Sequence, residues 1–267
     1  MTPELRVDAL TGLRVLVAPG GEPLSAGAED PPRAAKPDLF TAVGARGAHE
    51  LIDNAPGSAA TTLAELAPDA MAAAVERWRE RMRAHAGASY VHLHVDEDPQ
   101  ATAPPSRAQL HAFAFVPAVA ARERERFGAY ATRTMGGNLL ADLVQEEVRA
   151  RDRIVAIDDK AVLMVPYAAR SAYALMLVPR RPQAAFEADG PTGAALLHDG
   201  LQRLARRFGA GPPLSLWVRT APGGADPFCW HVDVLPRLTA PGGLELGTGL
   251  ERLEVTPEQA AAQLRDA

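Results

Sequence analysis

Residues 100–117 read QATAPPSRAQLHAFAFVP, and the segment before them, SYVHLHVD at residues 89–96, alternates polar and apolar side chains without a break. Strict alternation is the pattern of a half-buried strand. Together they predict a hairpin that runs out along 89–96, turns from Asp96 through Pro105, and returns along Gln109 to Phe115. Side chains two apart in a strand share a face, so His92 and His94 lie together, and His111 on the returning strand can face them across the ladder. Three imidazoles so placed could bind a transition metal, but their spacing is no metal signature. The preferred reading makes them polar positions facing solvent.

Working outward, GAHELIDNAP (47–56) reads as a strand leaving a glycine turn, and residues 68–84 as a helix with Met71, Val75, Trp78 and Met82 on one face. That stripe is a core face. The same order then returns. A strand at 161–165 leads to SAYALMLVPRR (171–181), followed by a helix from about 191 to 208 that carries Leu197, Leu201, Leu204 and Phe208. The strand PLSLWVRT (213–220), the turn APGGADP and the strand FCWHVDVLPRL (228–238) complete it. Pro179 stands to Pro56, Leu204 to Trp78 and His231 to Arg107 at a nearly constant offset. Two similar units predict an α+β fold of two related lobes, with antiparallel sheets and packed helices, the lobes spanning 1–118 and 119–267. At the N-terminus, residues 4–18 read as a short extended segment, a Thr-Gly turn and a strand of alternating Leu13, Val15 and Val17. Residues 19–37, GGEPLSAGAEDPPRAAKPD, predict a linker.

Composition excludes several classes. A chain of 267 residues that is 47% hydrophobic and 23% charged can bury a real core. A net charge of -5 gives no basic field for nucleic acid. No run approaches the length of a membrane span and the N-terminus has no apolar signal core, so the expectation is a cytoplasmic protein. The single cysteine, Cys229, allows neither an internal disulfide nor a Cys-X-X-Cys zinc site.

Several of these stretches resemble the galactose-1-phosphate uridylyltransferases of the histidine-triad superfamily. The family's active-site segment reads roughly Gly-Ala-Ser-X-Pro-His-X-His-X-Gln followed by an apolar strand ending Phe-Val-Pro, and Pro104, Gln109 and Phe115-Val116-Pro117 fit it without a gap. Pro105 and Arg107 fall on the two histidine positions, Ser106 lies between them, and Thr102 stands where the family usually has serine. In the family the second histidine attacks the α-phosphate of a nucleotide sugar through a neutral ring nitrogen. Arginine has no lone pair to attack with, yet it can clamp a phosphate in bidentate fashion. Arg107 is therefore read either as a phosphate contact or as a solvated turn residue.

The resemblance covers roughly residues 4–18 and 40–267 and is specific in the block Leu235-Pro236-Arg237-Leu238-Thr239 with its following GGLELGTG. Departures fall on functional positions. The family's Cys-X-X-Cys before the second lobe is Asn138-Leu139-Leu140-Ala141 here, its His-Trp-His is Cys229-Trp230-His231, and Asp233 follows. After Gly47-Ala48-His49-Glu50 the expected Ser-Pro-X-His is replaced by Pro56-Gly57-Ser58, so His49 is read as structural. His231 is read as a buried, hydrogen-bonded histidine. His92, His94, His111, His231 and Asp233 are the weak metal candidates, and the family's zinc is expected to be absent. The resemblance implies a UDP-sugar or sugar phosphate as ligand, a homodimer, and Gln109, Arg107, Ser106, Thr102 and Asp96 as binding residues, with Asp96 needing a cation such as Arg107 beside it. The functional expectation is a nucleotidyltransferase by ancestry that lacks its nucleophile. The alternative is an active enzyme using a relocated His92, His94 or His111.

Overall fold

The computed structural model of the protein describes residues 4–7, 14–17, 41–44, 47–99, 106–209, 211–224 and 227–267. The predicted linker at 19–37 lies outside them, as do Thr102 and Pro105. Strands β1 (Glu4–Val7), β2 (Arg14–Val17) and β3 (Thr41–Gly44) form a small antiparallel sheet in the order β2-β1-β3. The main body then follows in chain order. It contains β4 (Gly47–Asp53), α1 (Pro68–Ala84), β5 (Tyr90–Glu97), β6 (Arg107–Phe113), α2 (Ala118–Arg133), α3 (Leu139–Ala150) and β7 (Ile154–Ile157). After these come β8 (Ala161–Met164), β9 (Leu175–Pro179), α4 (Ala194–Arg207), β10 (Leu214–Arg219), β11 (His231–Pro236), α5 (Gly243–Thr248) and α6 (Pro257–Arg265).

Strands β4 to β11 make one antiparallel sheet in the order β4-β6-β5-β10-β11-β9-β8-β7. The expected α+β architecture of antiparallel strands and packed helices is the one adopted. With β4 matched to β9, β5 to β10 and β6 to β11, the six strands from β4 to β9 in the sheet read the same from either end, and β8 and β7 extend one edge. Two strand-helix-hairpin units joined edge to edge produce that order. The joint is the ladder between β5 and β10, paired from Leu214↔Glu97 to Val218↔Leu93, so the sheet runs unbroken from one unit into the other.

Helix α1 begins at Pro68, where a missing N–H costs nothing, and buries the predicted stripe: Met71, Trp78 and Met82 are fully buried and Val75 almost so. Leu197, Leu201 and Leu204 of α4 do the same one unit later. Both helices cover one face of the sheet, sharing a core with Leu93, Leu110, Leu216 and Trp230. A second cluster, with Phe127 of α2, Leu140 and Val144 of α3, Val162, Val178 and Phe228, covers part of the other face. Because β8 places Val162 in one cluster and Leu163 in the other, alternation sends neighbouring side chains to opposite faces. Asn138 caps α3 by accepting from Ala141 N at 3.1 Å, so Asn138-Leu139-Leu140-Ala141 starts a helix.

Gly193 precedes α4 with φ of +83°, and a Cβ there would meet Leu177 Cδ2 at 2.6 Å. Left-handed backbone and a core clash act together, so Gly193→Ala is expected to cost about 1–3 kcal/mol. A lower urea midpoint at unchanged slope is the readout. Among the described residues no helix is long and apolar enough to cross a membrane.

Candidate functional site

With α1 and α4 on one face, the opposite face of β4, β6, β5, β10 and β11 carries the polar alternates. The register aligns them. His49 of β4 and His92 of β5 both flank His111, His94 lies between Gln109 and Trp217, and Trp217 in turn faces Asp233. Arg219 faces His231. The two predicted sets of site residues therefore share one continuous surface.

At its β4-β6-β5 end the histidines stack. Ring centroids lie 4.6 Å apart for His49 and His111, 5.3 Å for His111 and His94 at only 6° between planes, and 5.4 Å for His94 and His92. The expectation that these residues face solvent is corrected: they are half-buried. Burial, reinforced by neighbouring imidazoles, pushes His92 down to about 3 and His111 down to about 4, and burial also lowers His94. All three are neutral at pH 7. Stacking spreads their nitrogens along the ladder and does not converge them on one point. Among the described residues no group of three His, Cys, Asp or Glu side chains is placed to hold a metal ion.

The substrate candidates separate. Arg107 opens β6 with an exposed side chain, on the same face as Gln109, which is half-buried beside His94. Ser106 departs from its expected role. It is buried, donates to Glu97 Oε1 at 2.8 Å and accepts from Asn54 Nδ2 at 2.8 Å, which ties it into the core. Asp96 has its cation, but the cation is Arg237: Arg237 Nη1 lies 3.2 Å from Asp96 Oδ1, Ser215 Oγ also donates to Asp96, and Arg237 Nη2 donates to Glu97 O at 3.1 Å. The arginine of the Leu-Pro-Arg-Leu-Thr motif thus holds the end of β5.

At the β10-β11 end the structure adds two residues that sequence reading missed, Glu123 and Arg219. His231 is buried. Its Nδ1 donates to Cys229 O at 3.2 Å and its Nε2 lies 3.2 Å from Glu123 Oε1. Both nitrogens meet acceptors, an arrangement that favours the protonated ring. Burial works against the charge, but the Glu123 hydrogen bond and the Asp233 and Glu123 charges outweigh it and raise the imidazole above its usual value. Arg219 lies 3.6 Å from Asp233 and 3.9 Å from Glu123. With a guanidinium on both carboxylates and Cys229 buried and pushed up to about 12, this donor set does not suit a metal ion. Glu123 sits in the run ARERERFG, whose dense charge reads as a solvated helix face and hides an inward carboxylate. Val119, Glu123 and Arg126 of α2, with Leu175, Met176, Trp217 and His231 beneath, enclose part of a cavity of about 310 Å³.

No protein-family model matches the chain. A galactose-1-phosphate uridylyltransferase of Cryptococcus neoformans var. neoformans serotype D is 30% identical over 177 residues, which cover 60% of this chain and 46% of the relative. The chain spans about half the length of the curated relatives it matches. Among solved structures, a uridylyltransferase superposes with a TM-score of 0.87 at 20% identity, covering 98% of this chain and 97% of its own. An ADP-glucose phosphorylase from Arabidopsis thaliana with bound ADP-glucose gives 0.74 at 19% identity, covering 100% and 99%. A galt-like protein from the same plant gives 0.74 at 20%, covering 84% and 77%. These likenesses define the class, a mixed α/β protein with the uridylyltransferase fold. Within it, the chain is similar in sequence, over 60% of its length, to galactose-1-phosphate uridylyltransferase.

Proposed function

We propose that this chain binds a nucleotide sugar or sugar phosphate and does not form the covalent nucleotidyl intermediate. The observation that carries this reading is Arg107, exposed on the polar face beside Gln109 where the family's motif has its nucleophilic histidine. Its guanidinium stays protonated and offers a planar fork of donors to phosphate oxygens, but no lone pair. Pro105 at the first histidine position has no side-chain donor or acceptor. In this reading the Arg107 surface holds a UDP-sugar or hexose 1-phosphate by charge-assisted hydrogen bonds and stops short of the attack. The galactose-related substrates come from the homologue's name, and a homodimer follows from the same ancestry.

A second reading is an active nucleotidyltransferase with a relocated histidine. What favours it is that His92, His94 and His111 are all held neutral, the state a nucleophilic imidazole needs.

One experiment separates the two. Intact mass is measured after incubation with UDP-glucose and quenching at mildly alkaline pH, which preserves a phosphoramidate. The expected result is an unmodified chain, together with saturable binding by calorimetry that Arg107→Ala weakens about 10- to 100-fold. An adduct that disappears in His111→Asn, His94→Asn or His92→Asn overturns the first reading in favour of the second. In the double variant Pro105→His with Arg107→His, the expected result is a new adduct, because both of the motif's histidine positions are then filled.

A further inference from the structure

We propose that the cavity beneath α2 is a second ligand site, built for a phosphate monoester carried on a planar or apolar body. Its charges are arranged in two tiers. On the floor, Arg219 and His231 lie within 4 Å of Glu123 and Asp233, so these two carboxylates are neutralised inside the cluster. On the rim, Arg122 and Arg126 stand one helical turn apart on α2 and lean over the same opening, with Arg170 across from them. Arg170 also reaches Glu251 at 3.7 Å. Arg122 and Arg126 have no hydrogen-bond or ion-pair partner among the described residues. Two unpaired guanidinium groups with a third nearby match a dianion better than a single carboxylate. Planar forks of this kind grip phosphate oxygens two at a time.

The rest of the lining is apolar. Val119, Ala169, Leu175, Met176 and Leu235 wall a space of about 310 Å³, at the lower end of what a small-molecule site occupies. Trp217 lines it too, and its indole N–H is buried without a hydrogen-bond partner among the described residues. Orphaned buried donors are rare in finished interiors. A ligand body that brings an acceptor to this N–H, and a ring or chain to the apolar wall, satisfies both. The centre of the site at His231 on β11 lies three strand positions from Arg107 and Gln109 on β6, roughly 14 Å at ordinary strand spacing, with Trp217 on its near side two positions away. It therefore does not rest on the function proposed above.

The test is a titration of the full chain with uridine 5′-monophosphate, read by tryptophan fluorescence. Trp78 and Trp230 are fully buried in the core, so Trp217 is the ring that a ligand in the cavity reaches. The expected result is saturable quenching by the nucleotide at concentrations where uridine alone and inorganic phosphate alone quench little. Trp217→Phe should abolish the signal. Arg122→Ala with Arg126→Ala, both exposed, should raise Kd at least tenfold, whereas Arg107→Ala should leave it unchanged. If the nucleotide does not quench, or quenches with an affinity that the α2 double variant leaves intact, the second site is wrong. If Arg107→Ala alone weakens the quenching, the bound nucleotide belongs to the Arg107 surface, and only the second site falls. Loss in the α2 variant with no calorimetric binding at Arg107 keeps the second site and removes the first.

Discussion

Arg79→Ala is expected to lower the unfolding free energy by about 3–5 kcal/mol, one of the two largest effects anticipated for a single substitution in this chain. Arg79 is an arginine on the core side of α1 with almost no exposure. Burial pulls its ionisation downward, and the nearest carboxylate, Glu76, lies 3.9 Å away. What holds it is backbone and ring. Its Nε donates to Phe186 O at 3.2 Å, its Nη2 donates to Thr192 O at 2.9 Å, and its guanidinium lies 4.4 Å from the Phe186 ring centroid. Both carbonyls belong to the segment leading into α4, so one side chain of the first unit closes the approach to the second. Alanine removes the donors to Thr192 O and to Phe186 O, which keeps only the Asp189 N–H at 3.3 Å, removes a cation–π contact and opens a cavity, and these losses act in the same direction. Arg79→Lys separates them, since a single ammonium keeps the charge but cannot span both acceptors. It should recover less than half of the loss in urea denaturation. A loss under about 1 kcal/mol for alanine would mean that the two halves are held by apolar packing alone.

How much of this could be read beforehand depends on the kind of signal. The stripe Met71, Val75, Trp78, Met82 and its echo at Leu197, Leu201, Leu204 announced both core helices, because a helix facing a sheet must repeat its apolar residues at helical spacing. Alternation in SYVHLHVD likewise placed β5, and the pairing of His92 with His111 followed from its hairpin. Polar roles were harder. Ser106 looked like a pocket residue because its neighbours matched an active-site motif, yet the strand's alternation begins one residue later, at Arg107, and leaves Ser106 directed inward. Arg237 and Asp96 are far apart in sequence and meet only because β10 lies between their strands, which no local pattern can announce. Glu123 and Arg219 were missed for the same reason. Helix α2 has only Ala120 and Phe127 buried, too weak a stripe to reveal which of its charges turns toward the sheet. The stacked histidines were seen as neighbours, but their burial comes from the surrounding structure and is invisible in the spacing.

Glu97→Gln is expected to remove a pH dependence of stability on the order of 3 kcal/mol. Glu97 ends β5 with its carboxyl in the core, where Oε1 accepts from Leu63 N at 2.7 Å and from Ser106 Oγ at 2.8 Å. Ser106 passes the network to Asn54, and Asn54 Oδ1 accepts from Trp78 Nε1 at 2.8 Å. Desolvation dominates over the two hydrogen bonds and raises Glu97 from 4.5 to about 7. The sign follows directly. Between pH 4.5 and about 7 the folded chain keeps a proton that the unfolded chain has released, so stability falls as pH rises through that window and is lowest above it. Glutamine keeps an oxygen acceptor and carries no charge at any pH. The variant should match the wild type near pH 4.5, surpass it at pH 8, and show the difference growing steadily between. Subtracting the two urea stability curves cancels every other titrating group. A flat difference would mean that the carboxyl folds in its charged form, the two donors outweighing burial. The consequence reaches the proposed ligand surface, because Glu97 holds Ser106, the residue directly before Arg107. Ligand affinity at Arg107 should therefore weaken above pH 7 in the wild type and lose that dependence in Glu97→Gln, which calorimetry at pH 6 and pH 8 resolves.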